Sequence, residues 1–102
     1  MLKMVKVMVK VKYPPHITGD FIKFYLSGKA PKYPDYVKRL YQWVYSDFDN
    51  KIINIYEMPD EKLVEGTKGI AKRFATYTTF KGYKYKIIPL FDGSDALELY
   101  KK

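Results

Sequence analysis

Cysteine is absent from this chain of 102 residues, which removes disulfides, thiol nucleophiles and cysteine-held zinc together. Histidine occurs once, as His16, so a multi-histidine metal site within one chain is excluded as well, and nothing in the pattern calls for a metal or a cofactor. Serine stands only at positions 27, 46 and 94, in turn or strand-end contexts without a nucleophile-elbow pattern. No apolar run reaches the roughly 18 residues of a membrane helix. Lys3, Lys6, Lys10 and Lys12 interrupt the N-terminal run, so it does not read as a signal-peptide core; the expected compartment is the cytoplasm, with no membrane partner.

Acidic residues are in deficit, eleven against nineteen basic ones, for a net charge of +8. Arginine is scarcer still: Arg39 and Arg73 stand against seventeen lysines. Base edges and bidentate phosphate contacts favour the planar guanidinium, whereas lysine supplies a diffuse attractive field. This basic protein is therefore suited to anions in general rather than to nucleic acid in particular.

Aromatic residues are abundant: eleven Tyr, six Phe and one Trp. A chain of this length and composition is expected to form one domain over residues 1–102, with a single core. Period-two alternation over residues 2–12 predicts a strand, with Val5, Val7, Val9 and Val11 on one face and Leu2, Met4, Lys6, Met8 and Lys10 on the other. Tyr13-Pro14-Pro15 ends it. Thr18 reads as the cap of a helix carrying Phe21, Ile22, Phe24, Tyr25 and Leu26, which Ser27-Gly28 closes.

A second strand is expected over 36–48, with Val37, Arg39, Tyr41, Trp43 and Tyr45 on one face and Leu40, Gln42, Val44 and Phe48 on the other. Asp49-Asn50 reads as a hairpin turn into a third strand over 51–57. Asp60 is the expected cap of a second helix; a fourth strand follows over 82–91 and a short helix over 95–101. The order βαββαβ is that of a ferredoxin-like α+β fold, an antiparallel four-stranded sheet with both main helices on one face and a short C-terminal helix. Since the strands are apolar on both faces, the uncovered face calls for a partner, most simply a second copy in a homodimer.

A helix-backed sheet with two apolar faces resembles the dimeric α/β-barrel superfamily of ferredoxin-like proteins. Within it, "LKMVKVMVKV", "VKRLYQWVYSDFDNKIINIYE" and "KIIPLFDGSDALE" are similar to a small family, a domain of unknown function. That family's pattern has histidine directly after the tryptophan. Val44 follows Trp43 here, so no role resting on that imidazole carries over. The resemblance implies a dimeric barrel and brings no assigned reaction.

The stretch Gly66-Thr67-Lys68-Gly69 has the spacing of a loop that clamps nucleic-acid phosphates. However, Leu63, Thr67, Ile70, Ala71 and Phe74 form an unbroken helical stripe across it. The glycines therefore read as packing residues, with Gly66 at the stripe's edge and Gly69 facing outward.

Strand alternation places Met4, Lys6 and Met8 on the helix-free face, and the third strand is expected to add Ile52, Asn54 and Tyr56 there. Tyr41 and Trp43 would wall the same cavity. Lys6, Met8, Tyr41, Trp43, Asn54 and Tyr56 are accordingly the candidate site for a small, largely apolar ligand, with His16 as a remote candidate base. Whether the chain binds or transforms such a ligand stays open at this point. Two alternatives stand beside it. One is a nucleic-acid-binding module using Lys68, Lys72, Arg73, Lys84 and Lys86; the other is a purely structural or assembly subunit.

Overall fold

In the computed structural model, residues 3–98 are described. Strand β1 spans Met4–Tyr13, helix α1 Thr18–Ser27, strand β2 Lys38–Asp47 and strand β3 Asp49–Pro59. Helix α2 spans Leu63–Ala75, strand β4 Lys84–Leu90 and a short helix α3 Gly93–Glu98. Leu2 and residues 99–101 of the expected last helix lie outside the described residues. All strand pairs are antiparallel, in the order β2-β3-β1-β4. Placing β1 and β3 at the centre, with one helix in each crossover, is the ferredoxin-like arrangement.

The valine side of β1 faces the core: Val7, Val9 and Val11 are buried with Phe21 of α1 and Ile70 and Phe74 of α2. Each such side chain contributes about 1.5–3 kcal/mol on leaving water. The third strand departs from expectation. Val7 pairs with Tyr56, Val9 with Asn54 and Val11 with Ile52, so these three residues point under the helices. Ile53 and Ile55 take the open face instead, opposite Lys10 and Met8.

Local signals also shift. Thr18 is the first residue of α1 rather than a cap, and its hydroxyl donates to Pro15 O at 2.7 Å. Asp60 opens a 3-10 turn, Asp60–Lys62, and its N–H donates to Lys3 O at 2.8 Å, tying the start of α2 to the start of β1. Gly28 ends α1 as expected, at φ 71° in the left-handed region that glycine enters freely. The β2–β3 turn pivots on Phe48, φ 66° and 99% exposed, and not on Asp49-Asn50, which already belong to β3.

Helix α2 runs unbroken through both glycines. A Cβ on Gly66 would lie 2.5 Å from Met58 Sδ, and one on Gly69 would lie 2.5 Å from Pro34 Cδ. Gly69 thus packs against the loop before β2 instead of facing outward, and neither glycine offers the open backbone a phosphate clamp needs.

The helices do not reach the outer edge of the sheet. Every residue of β2 is exposed, and the molecule measures 48 × 29 × 19 Å. Its radius of gyration of 15.3 Å exceeds the roughly 13 Å of a compact domain this long. Two consequences follow: a cleft on the helix side, where β2 projects beyond α1 and α2, and a bare sheet on the other side.

Candidate functional site: an aromatic pocket holding both arginines

The cleft on the helix side is a half-open pocket of about 270 Å³. Its floor is Ile52, Asn54 and Tyr56 of β3, and its inner wall includes Phe21, Phe74 and Tyr77. Ile22 and Tyr25 of α1 and Val44 of β2 line it too and are themselves exposed, which puts them at the rim.

Arg39 reaches this pocket through a backbone irregularity. The β2–β3 register shifts between Arg39 and Tyr41: Arg39 pairs with Tyr56, whereas Tyr41 pairs with Ile55. The extra residue, Leu40, reverses the facing of everything before it, as β-bulges do. Arg39 therefore lies on the helix side, separated from Tyr41, Trp43 and Tyr45, with which simple alternation grouped it.

Arg73 enters from the last turn of α2. Its Nη1 donates to Ala30 O at 3.5 Å and Pro31 O at 3.3 Å, and its guanidinium lies 5.9 Å from the ring centres of both Tyr25 and Tyr33. Two carbonyls and two tyrosine rings thus surround the guanidinium.

The pocket's polar groups have uneven partners. Gln42 Nε2 donates to Asn54 Oδ1 at 2.9 Å across the β2–β3 ladder, which satisfies the carbonyl of a side chain only 2% exposed. Tyr77 is buried, and its hydroxyl has no hydrogen-bond partner among the described residues. Burial pushes the Tyr56 phenol well above the usual tyrosine range, with Tyr33 adding to the rise and Arg39 and Arg73 opposing it. Burial also raises Tyr77, again against Arg73. Both guanidiniums thus act on the same small volume.

The six residues expected to form one site are divided by the sheet. Asn54 and Tyr56 lie in the pocket, while Lys6, Met8, Tyr41 and Trp43 lie on the open face. The division follows from β3 facing opposite to expectation. On the open face Lys6 pairs with Glu57 at 3.3 Å, and the Tyr41 and Trp43 rings stack at 5.0 Å, 7° from parallel. His16 sits exposed in the 3-10 turn Pro15–Ile17 and is not part of the pocket lining.

The basic set is divided as well. Lys68 and Lys72 are exposed on α2, Arg73 is in the pocket, and Lys84 and Lys86 are on the open face. There they join Lys10, Lys12 and Lys51 around a depression of about 330 Å³. A broader depression of about 550 Å³ lies where β4 leaves for α3, with Lys3 and Lys6 offset by Asp60 and Asp92.

Arg39, Tyr33 and Tyr77 were not among the residues singled out from sequence. The one available signal was that a chain with seventeen lysines keeps arginine at two positions only.

These features define a class: a small ferredoxin-like α+β domain with a tyrosine-rich pocket between its helix layer and the outer half of its sheet. No known family model, curated protein or solved structure matches the chain. No helix among the described residues is long and apolar enough to cross a membrane.

Proposed function

We propose that this domain binds a small, flat, largely apolar molecule in the pocket between α1, α2 and the β2–β3 hairpin. The observation that carries the reading is a preformed aromatic cleft lined by both of the chain's arginines. Apolar walls with a few placed polar groups are how ligand sites are built. Among the described residues the lining holds no carboxylate, histidine or serine, which favours binding over chemistry that uses those groups. The test is a two-dimensional amide NMR titration with a library of single-ring compounds. Binding should shift signals from Asn54, Tyr56 and Tyr77 together; a library that moves none of them would refute the reading.

A second reading concerns assembly, and the exposed β2 favours it. One cross-strand row on the open face, Tyr41–Ile55–Met8–Ile88, is apolar from edge to edge, and Trp43 and Ile53 extend it. Tyr41 and Trp43 remain 55% and 54% exposed. Two copies joined across this row would complete the dimeric barrel that the family resemblance implies. The next row toward the hairpin tip, Trp43–Ile53–Lys10–Lys86, is half basic and the one after it, Tyr45–Lys51–Lys12–Lys84, mostly so; their lysines would stay at the wet rim of the contact. Molar mass by light scattering should be twice that of the chain and should fall to one chain in Met8→Glu; a wild-type mass of one chain would end this reading. Nucleic-acid binding has less support, because its five cations are spread over three separate places.

A further inference from the structure

The lysines avoid the pocket and the arginines do not. Among the described residues no lysine lines it, yet Arg39 and Arg73, 34 positions apart and on different elements, both do. Arg39 is there only because the bulge at Leu40 turns it from the open face.

Neither guanidinium has a carboxylate partner among the described residues, and the lining contains no acidic side chain. Arg73 spends only Nη1 on the protein, which leaves Nε and Nη2 without a protein acceptor among the described residues.

We infer that the ligand of this pocket is an organic carboxylate: one ring held among the aromatic walls and its anionic end between Arg39 and Arg73. This rests on the pocket being a ligand site and specifies the ligand's class. Planar forks pair with carboxylates through two parallel hydrogen bonds, which a lysine cannot reproduce. The volume of about 270 Å³ lies just below the usual range for drug-sized ligands, so it suits one ring with a short acid chain rather than a nucleotide. Arg73 is held in place by Ala30 O, Pro31 O and two tyrosine rings; Arg39, exposed on β2, is free to close on the bound anion.

The test compares hydrocinnamate with its neutral amide, hydrocinnamide, by calorimetry at low salt on the wild type and on Arg39→Gln. The acid should bind wild type about tenfold more tightly than the amide, the worth of one charge-assisted contact. Arg39→Gln should shrink that preference severalfold by weakening the acid more than the amide; Arg39 is exposed, so the variant should fold, as circular dichroism would verify. Equal affinity of acid and amide for wild type overturns the carboxylate assignment but leaves the pocket a binding site. An acid preference undiminished in Arg39→Gln overturns the two-arginine arrangement. If neither compound binds or shifts the pocket's amide signals, the site reading falls and this inference with it. Inorganic phosphate binding as tightly as hydrocinnamate would show that charge alone is recognised and would overturn the requirement for a ring.

Discussion

Replacing Tyr77 by Phe should stabilise the unliganded protein, the reverse of the usual result for a buried tyrosine. The ring's neighbours do not depend on its oxygen: Phe21 and Phe24 lie 5.2 Å from it and Tyr83 lies 5.6 Å from it, centre to centre. In the unfolded chain the hydroxyl bonds to water; in the folded protein it has no partner among the described residues. Leaving such a group unsatisfied costs about 1–3 kcal/mol, which Phe recovers. The void left by one oxygen subtracts only a few tenths, at about 24 cal/mol per Å³. The net gain is about 1–2 kcal/mol, and each kcal/mol raises the melting temperature of a domain this size by about 4–8 °C. Urea denaturation with an unchanged slope is the assay, since it reports stability without a change in exposed surface. A loss of 0.5 kcal/mol or more (on the order of half a typical hydrogen bond) would mean that the hydroxyl is satisfied in solution.

Three further outcomes are expected. Burial raises the phenols of Tyr13, Tyr56, Tyr77 and Tyr83, so the native state keeps protons that the unfolded chain releases above pH of about 10. Stability contributed by these groups should be complete below that pH and lost as pH rises through their folded-state values. Urea midpoints against pH would show this, with tyrosinate absorbance rising as the fold is lost; a flat profile into strong alkali would contradict it. Gly69→Ala and Gly66→Ala each gain about 1 kcal/mol of helix propensity but force contacts with Pro34 and Met58 that cost about 1–3 kcal/mol, for a net loss near 1 kcal/mol. Gly19→Ala, which meets nothing within 4 Å, should be stabilising, and a uniform response of the three to thermal melting would undo this account. Phe48→Asn should gain about 0.5–1 kcal/mol, because asparagine tolerates a left-handed φ and a side chain 99% exposed gives up no packing within the chain. A loss instead would indicate that Phe48 packs on a second copy.

The legible parts of this protein are those where neighbouring residues decide. Alternation in β1 separates Val5, Val7, Val9 and Val11 from Met4, Lys6, Met8 and Lys10, because one set is uniformly apolar and the other is broken by charge. The stripe through Leu63, Ile70 and Phe74 shows that α2 crosses Gly66 and Gly69 unbroken. Element order alone leads to the sheet order β2-β3-β1-β4, since right-handed crossovers leave little choice. The same local rules fail at Asp49-Asn50, where a favourable turn pair loses to Phe48 because the ladder carries those two residues into β3.

The site was settled elsewhere, by contacts between distant segments. In β3 both alternating sets are apolar, Ile52 and Tyr56 against Ile53 and Ile55, so hydrophobicity cannot assign a face. Pairing with β1 does, and the bond from Gln42 makes burial of Asn54 tolerable. In β2 a bulge that no local signal announces moves Arg39 across the sheet, to where α2 has already brought Arg73. Covalent neighbours thus decide which segments become strands and helices, because φ, ψ and side-chain period are short-range quantities. Register, facing and the meeting of two arginines are free energies of pairing between segments far apart in the chain, and only the folded sheet evaluates them.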